Sequence, residues 1–203
     1  MSMKMPVLVT ERLLIRPFTL DDLDPIHRIL AEVAPEVLHV APTPQDVGTL
    51  EARRAWLEWS IANERELANL LQPPYGDRAV VRRADDVLVG ACGFVPELKP
   101  FGRLPSFPRA EGDPARFVPQ VGLFWTIGQE YRRNGYATEA GRAMIDYAFG
   151  TLRLAQIVAT TDDDNAASIG VMRKLGMRLE RNPHSEPAWF QMCGVLENRE
   201  PKA

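Results

Sequence analysis

Between residues 121 and 149 the chain runs VGLFWTI, then GQEYRRNGY, then a series of small and apolar residues. The first run has the β-branched and aromatic character of a strand buried on both faces. Ala137, Ala140, Gly141, Met144, Ile145, Ala148 and Phe149 recur at helical spacing, which predicts an amphipathic helix over about 135–152. A strand that turns directly into a helix leaves the first helical N–H groups unpaired, with partial positive charge behind them, and so forms an anion site. Gly135 lets the backbone bend or approach a ligand, Ala137 keeps the space small, and Arg132 and Arg133 add charge suited to phosphate. The plainer reading of the same residues is a turn glycine with solvated arginines. A P-loop is excluded because no G-K-[ST] follows the glycine, and a dinucleotide fingerprint because the first two of its three glycines are missing.

The rest of the chain alternates in the same way. RLLIRPF has strand character, and Thr19 is placed to cap a helix through Asp22, continued by Leu23, Ile26, His27, Leu30 and Val33. A longer helix is expected over about 46–71, burying Leu50, Trp56, Leu57, Ile61 and Leu67, and ended by PPYGD. RAVVRR and VLVGACGFV read as strands joined by the polar link Ala84-Asp85-Asp86. Residues 96–119 hold six prolines, which predicts a Pro-rich surface loop insertion, either functional or a tolerated hairpin extension. IVATT is the next strand, followed by a short helix with Asn165 as N-cap and Gly176 just past its end. MRLERN and AWFQMCGVLE close the chain as strands. The reading is one α/β (α+β) domain over 1–203 with seven strands.

A length of 203 residues suits one domain with a sizeable core. A net charge of −3 argues against a general nucleic-acid binder, which needs a basic surface. Cys92 and Cys193 lie in separate apolar runs, without the spacing of a zinc site or a disulfide framework, and read as buried thiols with no metal. The N-terminal sequence lacks a long apolar segment and no run reaches the roughly 20 residues of a membrane span, so the expected location is cytoplasmic, with no membrane partner.

The segments TERLLIRPFTLDD, VLVGACGF, FWTI with EYRRNGYATEA, DYAF and DNAASIGVMRKLGMR resemble the GNAT superfamily of N-acetyltransferases, in the branch of the ribosomal-protein alanine N-acetyltransferases. The resemblance covers about residues 10–192 and is most specific over 121–177. It implies the GNAT fold, a mixed and mostly antiparallel sheet of about seven strands, splayed in the middle and flanked by helices. It implies acetyl-CoA as cosubstrate, its pyrophosphate held by backbone amides of Arg132, Arg133, Asn134, Gly135, Tyr136, Ala137 and Thr138. Trp125, Thr126 and Ile127 would run beside pantetheine, and Asn165 and Ser168 would face the cofactor, Ser168 toward the thiol. The implied acceptor is a primary amine, on a small molecule or at a peptide or protein N-terminus. Exposed strand edges make either a monomer or a homodimer reasonable.

Direct transfer in a ternary complex needs an unprotonated amine, a polarised thioester carbonyl and a proton for the thiolate. A backbone N–H near Ile127 suits the developing oxyanion. Where many family members place a tyrosine that protonates the thiolate, this chain has Met172, so the role falls to Ser168 or a water it orients. Ser168 as a plain N3 residue of its helix is the alternative. Where relatives carry a glutamate on the strand before the loop, this chain has Gly122, and the base is unassigned. Glu130 faces a helix start or solvent. His39, His184, Glu36 and Glu186 sit in segments that line the acceptor pocket in the family, and equally read as ordinary loop residues. Trp56, Trp59, Trp189 and Phe190 either wall that pocket or form core. These departures leave open a noncatalytic acyl-CoA-binding regulatory domain, and the proline-rich segment an interaction module.

Overall fold

The computed structural model describes residues 4–37, 48–107, 116–187 and 190–198, with side chains 33–37 outside the description. His39, Trp189 and the Glu36 side chain therefore lie outside the described residues. The chain divides into two compact units, one built from Met1–Phe94 and Phe124–Met144, the other from Val95–Leu123 and Ile145–Ala203.

In the first unit β1 (Leu8–Val9) and β2 (Leu13–Arg16) form a short antiparallel hairpin, and β2 pairs with β3 (Gly76–Arg82). β3 in turn pairs antiparallel with the first part of β4 (Val87–Lys99). A single 3-10 turn, Leu20–Asp22, leads into α1 (Leu23–Val37). Its start is fixed by sequence: the Thr19 N–H donates to Asp22 Oδ2 at 2.8 Å, and Arg16 grips the same carboxylate at 2.7 and 2.8 Å. Burial alone would raise the Asp22 pKa, but these donors outweigh it and hold the carboxyl below its ordinary value. α2 (Leu50–Asn69) starts at Thr49, whose hydroxyl accepts from the Ala52 N–H at 3.1 Å. Leu23, Ile26 and Ile29 from α1 and Leu57 from α2 cover Ala79, Val81, Leu88 and Ala91 of the strands. Trp56 meets Phe18 edge-on at 5.5 Å, whereas Leu50 is exposed, against the expectation of a buried position, and Trp59 is 58% exposed and so not core. Those two lie on the outer side of an amphipathic helix.

In the second unit β5 (Val118–Ile127), which continues into the first, pairs parallel with β6 (Gln156–Thr161) at Gly122 and Val158. β8 (Met192–Glu197) lies antiparallel between β6 and β7 (Arg178–Arg181). A π-helical turn, Tyr147–Thr151, follows α3 (Tyr136–Asp146), and α4 (Ala166–Lys174) precedes β7. Among the described residues there are eight strands where about seven were expected, the added one being the two-residue β1, too short to carry a period. Five of the six resolved pairings are antiparallel.

The proline-rich segment differs from its expectation. β4 runs through the exposed Pro96 to Lys99, and Phe101, Leu104 and Phe107 are buried. With Phe190, Val158, Cys193 and Val195 they form the second unit's core, Phe101 standing 5.0 Å from Phe107 and 5.3 Å from Phe190 between ring centroids. Three apolar residues at threefold spacing, carried by a 3-10 turn at Phe101–Arg103, form an anchor that the proline count concealed. Among the described residues no helix is long and apolar enough to cross a membrane.

Phe101→Ala should destabilise the protein by about 3–5 kcal/mol in denaturant unfolding. A loss under about 1 kcal/mol would return the segment to a surface insertion.

Candidate functional site

The loop that attracts attention in the sequence belongs to the first unit. β5 ends at Ile127, a 3-10 turn spans Gln129–Tyr131, and α3 begins at Tyr136. Arg133 and Gly135 both lie in the left-handed region, at φ 64° and 81°. The space around Gly135 admits a Cβ, with Arg12 Nη2 at 3.5 Å, so the backbone conformation rather than crowding favours glycine there. Arg132 Nε donates to Ile127 O at 3.2 Å and Asn134 Nδ2 to Tyr131 O and Arg132 O at 3.1 Å, so the turn is tied back to the strand.

Glu139, on the first turn of α3, anchors the loop from the other side. It accepts from Thr10 Oγ1 at 2.6 Å, from the Arg12 N–H at 2.9 Å and from Arg12 Nε at 2.7 Å. Burial pushes the Glu139 carboxyl up, yet the hydrogen bonds from Thr10 and Arg12 outweigh it and hold the group below its ordinary value. Arg12 also donates to Asn134 O at 3.0 Å and lies over the Tyr136 ring at 4.9 Å. The N–H groups of Tyr136, Ala137 and Thr138 form the first helical turn and have no intrahelical partner. Arg133 and Asn134 are exposed, Arg132, Ala137 and Thr138 half-buried, and Tyr136 buried. First-turn amides, an open glycine and the exposed Arg133 together form a place suited to an anion. Along β5, Trp125 is half-buried while Thr126 and Ile127 are buried, so the structure brings strand and loop together in one unit.

Asn165 and Ser168 belong to the second unit. Asn165 Oδ1 accepts from the Ser168 N–H at 3.0 Å, the N-cap the sequence predicts. The Ser168 hydroxyl forms no hydrogen bond among the described residues and is half-buried. Met172 is fully buried, so its position in α4 belongs to the core. His184 is exposed on the loop after β7, its N–H donating to Asn182 Oδ1 at 3.1 Å, and the Glu186 and Glu130 side chains are exposed as well. Phe190 is core, and Trp56 packs on Phe18. Burial pushes both cysteine thiols up, which leaves neither as a nucleophile.

Two carboxylates escape sequence reasoning. Asp77, half-buried on β3, forms no hydrogen bond or ion pair among the described residues, and burial pushes its pKa up to about 6. Glu97, on β4 in the second unit, pairs with Lys99 Nζ at 2.6 Å. The signal for Glu97 was present: a strand carried through Pro96 puts Glu97 and Lys99 on one face.

A family model described as an acetyltransferase (GNAT) domain matches residues 12–178 of this chain. An uncharacterized N-acetyltransferase of Bacillus subtilis (strain 168), YnaD, is 29% identical over 173 residues, covering 85% of this chain and 83% of its own. A GNAT-family acetyltransferase structure from Bacillus anthracis superposes with a TM-score of 0.66 at 22% identity, covering 96% of this chain and all 100% of that one. The ribosomal-protein-S5-alanine acetyltransferase of Vibrio fischeri gives 0.66 at 16%, with coverage of 98% and 100%. The microcin C7 self-immunity acetyltransferase MccE, in complex with acetyl-CoA and AMP, gives 0.64 at 10%, with coverage of 95% and 96%. At these identities the structures establish likeness of fold.

The raised value of Asp77 has a definite consequence for stability. With a folded value of about 6 and an unfolded value near 3.9, the folded state binds more protons within that window, so stability falls as pH rises through it. Asp77→Asn should therefore stabilise the protein by about 3 kcal/mol above pH ~7 and by nothing below pH ~3, read from denaturation at each pH. Equal effects at both ends would mean that the carboxylate is solvated.

Proposed function

The chain belongs to the acetyltransferase (GNAT) family, and from that premise we propose that it moves the acetyl group of acetyl-CoA to a primary amine by direct attack within a ternary complex. The observation that carries the cofactor half is the loop itself: a left-handed Gly135, unpaired first-turn amides and an exposed Arg133 behind a tethering Glu139. In this reading the amides of residues 132–138 hold the pyrophosphate, and the main chain at Trp125, Thr126 and Ile127 accompanies pantetheine. Acetyl-CoA supplies the activated acyl carbon and a thiolate leaving group. The N–H near Ile127 polarises the carbonyl, Asn165 fixes the start of α4, and Ser168, whose hydroxyl has no partner among the described residues, hands over a proton. The acceptor is an N-terminal amine of a peptide or protein, or a small amine; similarity in fold to ribosomal-protein acetyltransferases favours the first. The chain acts as one cytoplasmic domain over 1–203, as monomer or homodimer.

The burial of Met172 favours a second reading, a noncatalytic acyl-CoA-binding regulatory domain, because the position that carries a thiolate-protonating tyrosine in many relatives is here a core methionine. Both readings require CoA binding, and only the first releases thiol in an amine-dependent way.

Thiol release from acetyl-CoA across peptides with varied N-termini and small amines, alongside CoA titration, separates them. Turnover with one class establishes the enzyme and names its acceptor; tight binding without release favours the regulatory reading. Gly135→Asp should abolish CoA binding by placing a strained, negative side chain at the pyrophosphate, and retained affinity would refute the cradle. Ser168→Ala should lower kcat about tenfold or more with little change in CoA affinity, and unchanged kcat would leave Ser168 a helix-start residue alone.

A further inference from the structure

We infer that Glu32 is a positioning residue for the cofactor loop: from α1 it caps the 3-10 turn that leads into the loop, so that CoA binding and the seating of α1 are coupled. The inference rests on the CoA-binding reading of residues 132–138 above and extends it to a residue outside the loop. Every residue involved lies in the first unit.

The turn Gln129–Tyr131 joins β5 to the loop, and its internal bonding begins only at the Tyr131 N–H, which donates to Gly128 O at 2.9 Å. The Gln129 N–H at the head of the turn is left without a partner inside it. At many helix starts the N-cap side chain takes such a donor. Here the N-cap is Gly128, which has no side chain to offer. The donor goes instead to Glu32 Oε2 of α1 at 3.1 Å, and Gln129 Nε2 donates to Glu32 O at 3.4 Å. Each residue thus binds the other through one side chain and one backbone group.

The glycine and the distant cap are two consequences of one close approach. Gly128 has φ −54° and ψ 145°, a conformation open to any residue, so its backbone does not call for glycine. Packing does. A Cβ on residue 128 would stand 3.0 Å from Ile29 Cγ1 and 3.2 Å from Tyr131 Cδ2, tighter than packed side chains sit, and α1 would have to retreat. Ile29 and Glu32 are one turn apart on α1 and share the face that meets the turn. The contact that denies residue 128 a capping side chain is the same one that brings Glu32 within reach of the orphan donor.

From the turn the effect passes directly to the loop. The Arg132 N–H donates to Gln129 O at 3.3 Å and Asn134 Nδ2 donates to Tyr131 O at 3.1 Å, so the orientation of the turn sets that of the loop backbone. Glu32 is exposed, whereas Ile29 beside it is core, so Glu32 adds little to the packing of α1. Its charge does not favour an anion either. Glu32 makes no ion pair among the described residues, and a carboxylate bonded to the turn before a phosphate-binding loop opposes the ligand by charge. Charge and geometry therefore predict opposite outcomes for its removal. By linkage, whatever Glu32 contributes to CoA affinity, bound CoA returns to the seating of α1.

The test is CoA titration of the full-length protein, with hydrogen exchange of the α1 amides as a second readout. Glu32→Ala should raise the Kd for CoA about fivefold, the size of one lost cap, with Tm nearly unchanged. Glu32→Gln, which keeps an acceptor and drops the charge, should stay within about twofold of the natural affinity. Gln129→Pro removes both donors from the other partner, and the extended ψ of Gly128 and the first position of a turn both suit proline. It should weaken CoA binding as Glu32→Ala does, and the double variant should be no weaker than either, because each single change already removes the interaction. Bound CoA should slow exchange of the α1 amides in the natural chain and not in Glu32→Ala. The inference is overturned if Glu32→Ala leaves the Kd within about twofold or lowers it, if Glu32→Gln loses as much as Glu32→Ala, if the two single losses add, or if CoA protects α1 equally with and without Glu32. Should Glu32→Ala not fold, Gln129→Pro decides: weakened binding upholds the cap and natural affinity overturns it. Absence of CoA binding by the unmodified protein sinks the loop reading and this inference together, whereas natural affinity in Glu32→Ala beside lost binding in Gly135→Asp sinks the inference alone.

Discussion

The carboxylate of Glu139 is the constraint on which the loop before α3 in the first unit depends. Three donors from the β1–β2 turn converge on it, the Thr10 hydroxyl, the Arg12 amide and the Arg12 guanidinium, and that guanidinium also holds Asn134 O. One acid on the first turn of α3 thereby fixes the helix start, the loop before it and the hairpin beside it. An acid at this place is also favoured by the positive end of the helix. The electrostatic result is specific. Arg12 is neutralised by Glu139 and Arg82 by Asp85, while Arg133 is exposed beside the amides. Attraction for an anion at the loop is therefore built mainly from directed N–H groups, whose hold depends on geometry, and only secondarily from mobile charge, whose hold fades with salt.

The second unit follows a different logic, in which an aromatic cluster supports polar groups. Phe101, Phe107 and Phe190 pack closely, and the segment that carries the first two also places Ser106 against Glu180, its N–H donating at 3.0 Å. Arg178 completes that group through Glu180 and Glu197, each at 3.0 Å. All these acids and bases are engaged with one another, which makes the arrangement a tether for the segment. Glu97, Lys99 and Thr160 differ because a third strand's glycine is shaped around them.

Much of this architecture was legible in the sequence because it follows from periodicity and punctuation. The stripe from Ala137 to Ala148, the Thr19 and Asn165 caps and the Gly135 turn each announce themselves through spacing that the backbone enforces. Two things were not legible. The proline count of residues 96–119 hid both a strand that tolerates Pro96 at an exposed position and the apolar triplet at 101, 104 and 107, because prolines mark loops only where no buried face competes with them. The approach of Glu97 to Gly122 was also hidden, since it depends on a cross-strand neighbour that no local pattern contains. A glycine in the place of an expected acid reads as a loss until the adjoining strand is known.

The same point governs how the space around Gly122 is filled. Loss of a catalytic side chain by itself leaves a void, or a glycine whose neighbours close in with apolar groups. Around Gly122 the neighbour that closes in is a glutamate, held by an ammonium and a hydroxyl and set beside an apolar cluster that had no need of it. A Cβ at 122 and the stem of Glu97 cannot share the space, so the two positions are matched in shape as well as in chemistry. The glycine and the acid on the adjoining strand are therefore one packing arrangement. Met172, by contrast, lies wholly within the core that α4 covers.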